Sequence, residues 1–203
     1  MLEDLSAHIL DIAQNSVAAG AENIEVSIRK TVRRRADAEK KKEELRFVEF
    51  EIADDGKGMD ASRVAAVVDP FCTSRTTRRV GMGLPFLKQN AELCGGKFEI
   101  SSLPGRGTRV FASFDLSSID TPPLGDLAGS FLTLLIDAPR IHWVFRYETP
   151  EASEPFVLDS RDVAEALDGL ESLRIPRVAM ELKSMMEKAI HGEETNVGME
   201  NDS

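Results

Sequence analysis

The chain has 203 residues, 42% of them hydrophobic and 30% charged, with a formal net charge of −10. That suffices for one domain with an appendage or two small ones, and the acidic balance argues against a nucleic-acid partner, which wants a broad basic face. No apolar run approaches the about 20 residues that span a bilayer. The start "MLEDLSAHIL" lacks the basic flank of a secretory signal, and Cys72 and Cys94 have no metal spacing, so a reduced cytoplasmic protein is expected.

In chain order, Leu2, Leu5, Ile9, Ile12 and Ser16 recur at spacings of three and four, predicting a helix over 3–19 that Gly20 stops. "NIEVSI" (23–28) alternates as a strand. The charge-dense "RKTVRRRADAEKKKEEL" (29–45) follows as an insert, then "RFVEFEIA" (46–53) as a second strand. Helical spacing returns at 60–68 and from Leu84 to Leu93. "KFEISS" (97–102) and "RVFASFDL" (109–116) form a hairpin around "LPGRGT". The Pro- and Gly-rich "SSIDTPPLGD" (117–126) marks a boundary. Past it, "FLTLLID" (131–137), "IHWVFRYE" (141–148) and "PFVLD" (155–159) look like strands, with helical patterns at 160–169 and 176–190. Trp143, Phe145 and Tyr147 alternate on one strand face, as core residues or as an interface. The division expected is a first domain at 1–116, a linker at 117–130, an accessory region at 131–191 and a disordered tail at 192–203.

Four short segments have the residue types of a ligand site. On the first helix His8, Asp11 and Asn15 share a face, either a solvated polar surface or a carboxylate and an amide that hold a divalent cation through oxygen. "DDGKGM" (54–59) closes a strand with an acid followed by Gly56 and Gly58. A turn accounts for it, as does a carboxylate receiving a ligand amine beside backbone that approaches closely. A calcium loop does not, because its acidic ladder and distal Glu are missing. "RRVGMGLPFLKQN" (78–90) sets Gly81 and Gly83 ahead of a helix, where free N–H groups can meet an anion, and Arg75, Arg78 and Arg79 lie just upstream. "PGRGT" (104–108) is by itself a hairpin turn. A P-loop motif occurs nowhere in the chain.

In this order the segments resemble the GHKL superfamily of ATP-binding domains, which covers gyrase, heat-shock chaperones, sensor histidine kinases and mismatch-repair ATPases. The resemblance runs over about residues 5–116. "QNSVAAGA" (14–21) is similar to the family's first-helix segment, and "DPFCTSR" (69–75) to the kinases' lid. It implies an α+β fold, a two-layer α/β sandwich with one mixed sheet covered on one face by helices, here with a small C-terminal α+β appendage. It also implies ATP or ADP as ligand, with Mg2+. By position Asn15 would hold the metal and Asp54 the adenine amino group. Gly56 and Gly58 would line the base, and Gly81 and Gly83 would bring amides to the phosphates. Leu84 would start the helix behind them, Thr108 would join the adenine network, and Arg75 would contact phosphate. Asp11 stands where two branches of the family place a catalytic glutamate, one methylene longer.

With fourteen residues ahead of Asn15, the upstream helical hairpin of a sensor kinase is not expected. His8, His142 and His191 do not look like phospho-acceptors. A stand-alone kinase module acting on a separate protein partner is expected, ahead of an ATP-operated binding switch or an ATPase. For the ATPase, Lys183 and Lys188 are the candidate lysines for the γ-phosphate. A homodimer is compatible with all three.

Overall fold

The computed structural model describes residues 4–34, 44–69 and 83–191. Within them the order is α1 (Leu5–Ala18), β1 (Asn23–Arg34), β2 (Glu44–Asp54), α2 (Ala61–Val67), α3 (Gly83–Leu93), β3 (Lys97–Leu103), β4 (Gly107–Asp115), α4 (Leu127–Asp137), β5 (His142–Glu148), β6 (Phe156–Asp159), α5 (Ser160–Leu167) and α6 (Pro176–His191), with a 3-10 turn at 170–174 before α6. Four of the helices start on an aspartate cap. Asp4, Asp60, Asp126 and Asp159 each accept a backbone N–H that the first turn leaves unpaired.

The six strands form one mixed sheet in the order β3-β4-β2-β1-β5-β6. Only the β1–β5 pair is parallel; the others are antiparallel. Alternation along the strands gives the sheet two unlike faces. Ile24, Val26, Ile28, Phe50, Ile52, Val110, Ala112, Phe114, Trp143, Phe145 and Tyr147 are buried on one face. The other face carries charge, paired as Arg29–Glu148, Arg33–Glu49, Arg109–Glu51 and Arg146–Glu25. Helices cover the apolar face alone. The fold is thus the two-layer α/β sandwich expected, each fully buried large side chain contributing about 1.5–3 kcal/mol.

The segment 131–137 departs from the strand expectation: it is the body of α4. Leu127, Ala128, Phe131, Leu134 and Leu135 are all buried, a helical stripe that begins four residues before the expected strand. Phe131 stacks on Phe145 of β5 with ring centroids 4.1 Å apart. The C-terminal helices and strands are present, and β5 and β6 extend the same sheet beyond β1. The basic run from residue 29 lies on β1 up to Arg34 instead of opening a loop. The expected tail at 192–203 lies outside the described residues.

Residues 121–125 fasten the start of α1. Leu5 N–H donates to the carbonyl of Pro123 at 2.9 Å, and Ser6 N–H to that of Leu124 at 3.0 Å. With Ala7 N–H on Asp4 at 2.8 Å, three of the four orphan donors of the helix are satisfied.

Candidate functional site

Helix α1 brings the predicted residues together. Its buried stripe of Leu5, Ile9, Ile12 and Ala13 lies against the sheet and neighbouring helices. Asp11 and Asn15, one turn apart, are half-buried beside that stripe. Asn15 Nδ2 donates to Asp11 Oδ2 at 3.5 Å, and Asn15 Oδ1 accepts no hydrogen bond from a described residue. Burial pushes the Asp11 carboxyl above the ordinary carboxylate range, against the hydrogen bond from Asn15.

Gly83 touches Asp11. A Cβ there would stand 1.8 Å from Asp11 Oδ2, so a side chain at the start of α3 would displace the carboxylate. Farther along, Asn90 Nδ2 lies 3.2 Å from His8 Nε2. Since Asp11 meets the first residue of α3 and His8 meets the eighth, α1 and α3 run antiparallel. Pro85 sits in the first described turn of α3, where its missing N–H costs nothing. Leu84 packs on the core.

Asp54, the last residue of β2, is anchored from two sides. Its Oδ1 accepts Gly56 N–H at 2.9 Å and its Oδ2 accepts Ser16 Oγ–H at 2.7 Å. Each oxygen keeps a lone pair. A Cβ on Gly56 would come within 3.0 Å of Asp54 Oδ1 and 3.1 Å of Ala19, so the glycine keeps a narrow cradle open beside the carboxylate. Gly58, at φ +61°, lies against the carbonyl of Leu103, which a Cβ would meet at 1.9 Å. Thr108 is the cross-strand partner of Asp54, and its Oγ1 lies 2.9 Å from Ser102 Oγ, which also receives Met59 N–H at 2.8 Å.

Asp11, Asn15, Asp54, Gly56, Gly58, Gly83, Leu84 and Thr108 therefore surround one end of α1 and the loop beyond β2. Arg75 and Gly81 lie outside the described residues. Other placements correct the sequence reading. His8 is fully buried against Asn90 instead of lying on an open cation face. Lys183 is held by Asp126 at 2.7 Å and Glu187 at 3.5 Å, and is not brought to Asp11. Ser16 follows the spacing of the apolar stripe and is buried, but its hydroxyl serves Asp54. Its place directly after Asn15 was the available signal. Ser102 carried no sequence signal, because its role comes from pairing with β4.

Among the described residues no helix is long and apolar enough to cross a membrane, and no cluster of three or more His, Cys, Asp or Glu side chains could hold a metal ion. Asp11 and Asn15 set one carboxylate and one amide side by side, oxygen donors of the kind a hard cation takes.

Among solved structures the chain is similar to the N-terminal domain of a DNA repair protein, at 16% identity and TM-score 0.53, covering 84% of this chain and 58% of that one. It is also similar to the Aquifex aeolicus MutL ATPase domain complexed with ADP, at 14% identity and TM-score 0.45, covering 83% of this chain and 70% of that one. No curated protein matched. A family model described as histidine kinase-, DNA gyrase B-, and HSP90-like ATPase matches residues 2–118, more than half of the chain. On that match and on a fold that agrees with it, the chain belongs to the histidine kinase-, DNA gyrase B- and HSP90-like ATPase family.

Proposed function

We propose that the chain binds MgATP between α1, the Asp54 loop and the start of α3, and passes the γ-phosphoryl group to a separate protein. The observation that carries this is the use of consecutive residues of one helix for two tasks: Ser16 holds Asp54, while Asn15 stands with Asp11 and Gly83. Asp54 accepts the adenine amino group on its spare lone pairs, with Gly56 and Gly58 against the base and Thr108 behind. Asn15 Oδ1 is the oxygen offered to Mg2+, which would offset negative charge on the phosphates. Amides at Gly83 and in the first turn of α3 meet the phosphates, and by the family resemblance Gly81 and Arg75, outside the described residues, would join them. Transfer, rather than hydrolysis, is favoured by the likeness of "DPFCTSR" to the kinases' lid.

Hydrolysis is the second reading, and Asp11 favours it. A carboxyl whose affinity for a proton is raised by burial, fixed by Asn15, is suited to take one from an attacking water. The same group serves an acceptor hydroxyl in the first reading.

Incubation with γ-labelled ATP, alone and with cell extract, separates the two. Label on a partner supports transfer, and free phosphate alone supports hydrolysis. Uptake of ATP with neither product leaves an ATP-operated switch. Asp54→Asn is expected to weaken ATP at least about tenfold, the scale of a hydrogen bond to a charged acceptor. No uptake of ATP or ADP by the unaltered chain in a calorimeter would end every one of these readings.

A further inference from the structure

Four side chains form a hydrogen-bonded row across the end of the sheet, reaching from β6 to the residue beside Asp54. Asp159 Oδ1 and Oδ2 each lie 3.0 Å from His142 Nε2. His142 Nδ1 lies 3.1 Å from Asn23 Oδ1, and Asn23 Nδ2 lies 2.6 Å from Asp55 Oδ2. Asp55 Oδ1 takes the backbone N–H groups of Glu22 and Asn23 at 2.8 and 2.9 Å. At the other end Asp159 Oδ1 takes Arg161 N–H at 2.8 Å. His142 is further fixed by its own N–H, which donates to the carbonyl of Glu22 at 2.9 Å.

The orientation of Asn23 in this row is forced. An ionised carboxylate only accepts. Hydrogen bonds from Asn23 and Glu22 outweigh desolvation and hold the Asp55 carboxyl below the usual range; those from His142 and Arg161 outweigh it at Asp159. Asn23 must therefore turn its NH2 toward Asp55 and its oxygen toward His142. That oxygen faces His142 Nδ1 and the Asp159 carboxylate faces Nε2, so the ring bridges the two. Turning the Asn23 amide over would set its oxygen against Asp55.

We propose that Asp159, His142 and Asn23 are positioning residues for the nucleotide loop: the row they form fixes Asp55, and so sets the Asp54–Gly56 turn that receives adenine. Two of the row's members, His142 and Asp159, lie past the residues matched by the family model. The C-terminal strands thereby act on nucleotide affinity. The inference rests on Asp54 being the adenine acceptor. The charged groups around His142 are Asp159 on β6, Arg161 on α5 through Asp159, and Asp55 through Asn23.

The test is calorimetric titration of the full chain with MgADP, with thermal melts of the same samples. His142→Ala and Asp159→Ala, each of which breaks the row, are expected to melt near the unaltered chain and to bind about fivefold more weakly, the scale of one lost hydrogen bond. The double variant is expected to bind no more weakly than either single one, because the row acts as a unit. Unchanged affinity in either folded variant, or losses that add in the double variant, would overturn the proposal. So would failure of both variants to fold, which would make the row a structural tie alone. If the unaltered chain binds no ADP, it is the nucleotide reading that falls, and the row's role falls with it.

Discussion

Ser16 and Gly58 show what single atoms do around Asp54. Ser16 lies in the buried stripe of α1, yet its hydroxyl is the side-chain donor that steadies the acid. Ser16→Ala is expected to leave the melting temperature near that of the unaltered chain and to weaken ATP about tenfold in calorimetry. Gly58 takes a left-handed conformation with no room for a methyl group. Gly58→Ala is expected to cost about 2 kcal/mol or more of stability, read as a lower urea midpoint. The residue types of this site were legible because acids, amides and glycines fall at fixed offsets along the chain. Their hydrogen-bond partners were not: Ser102 and the row from Asp55 to Asp159 exist only through strand pairing across long sequence separations.

At the scale of elements, α1 and α3 lie antiparallel with His8 enclosed between them and the core. Burial pushes the His8 pKa down from the ordinary 6.5, with the charge of Asp4 opposing. Its Nδ1 is buried without a partner among the described residues. The unfolded chain thus takes up a proton more readily than the folded one, so stability rises with pH and falls on acidification below about 6.5. Denaturant midpoints measured at about pH 7 and about pH 5 are expected to show this fall, and His8→Leu is expected to reduce it. Most elements were legible from periodicity, since one buried face per strand or helix imposes a period of two or 3.6. α4 was missed because "FLTLLID" in isolation is a short apolar run, which periodicity does not assign. Including Leu127 and the capping Asp126 exposes the helical spacing.

At the scale of the molecule, we propose that the matched region and the C-terminal region fold as one unit. β5 pairs with β1 over seven positions from Asn23 to Arg29, and α4 packs on α1. Truncation after residue 118 would bare Ile24, Val26 and Ile28 to solvent along a new sheet edge. The shortened chain is expected to lose cooperative unfolding in thermal circular dichroism and to aggregate. A sharp melt with ADP uptake intact would show instead that residues 1–118 stand alone. The Pro, Gly and Ser of "SSIDTPPLGD" mark irregular backbone. Composition does not tell irregular backbone that dangles from irregular backbone that is docked.

The docking of that segment has a mechanical consequence. The carbonyls of Pro123 and Leu124 grip the first turn of the helix whose other end holds Asn15 and Ser16. Removing residues between 117 and 122 would pull on this grip, each residue of extended chain spanning about 3.3–3.6 Å. A stretch with no ligand-contacting role would then tune the ligand site by leverage, and a partner protein tugging there would reach the same lever.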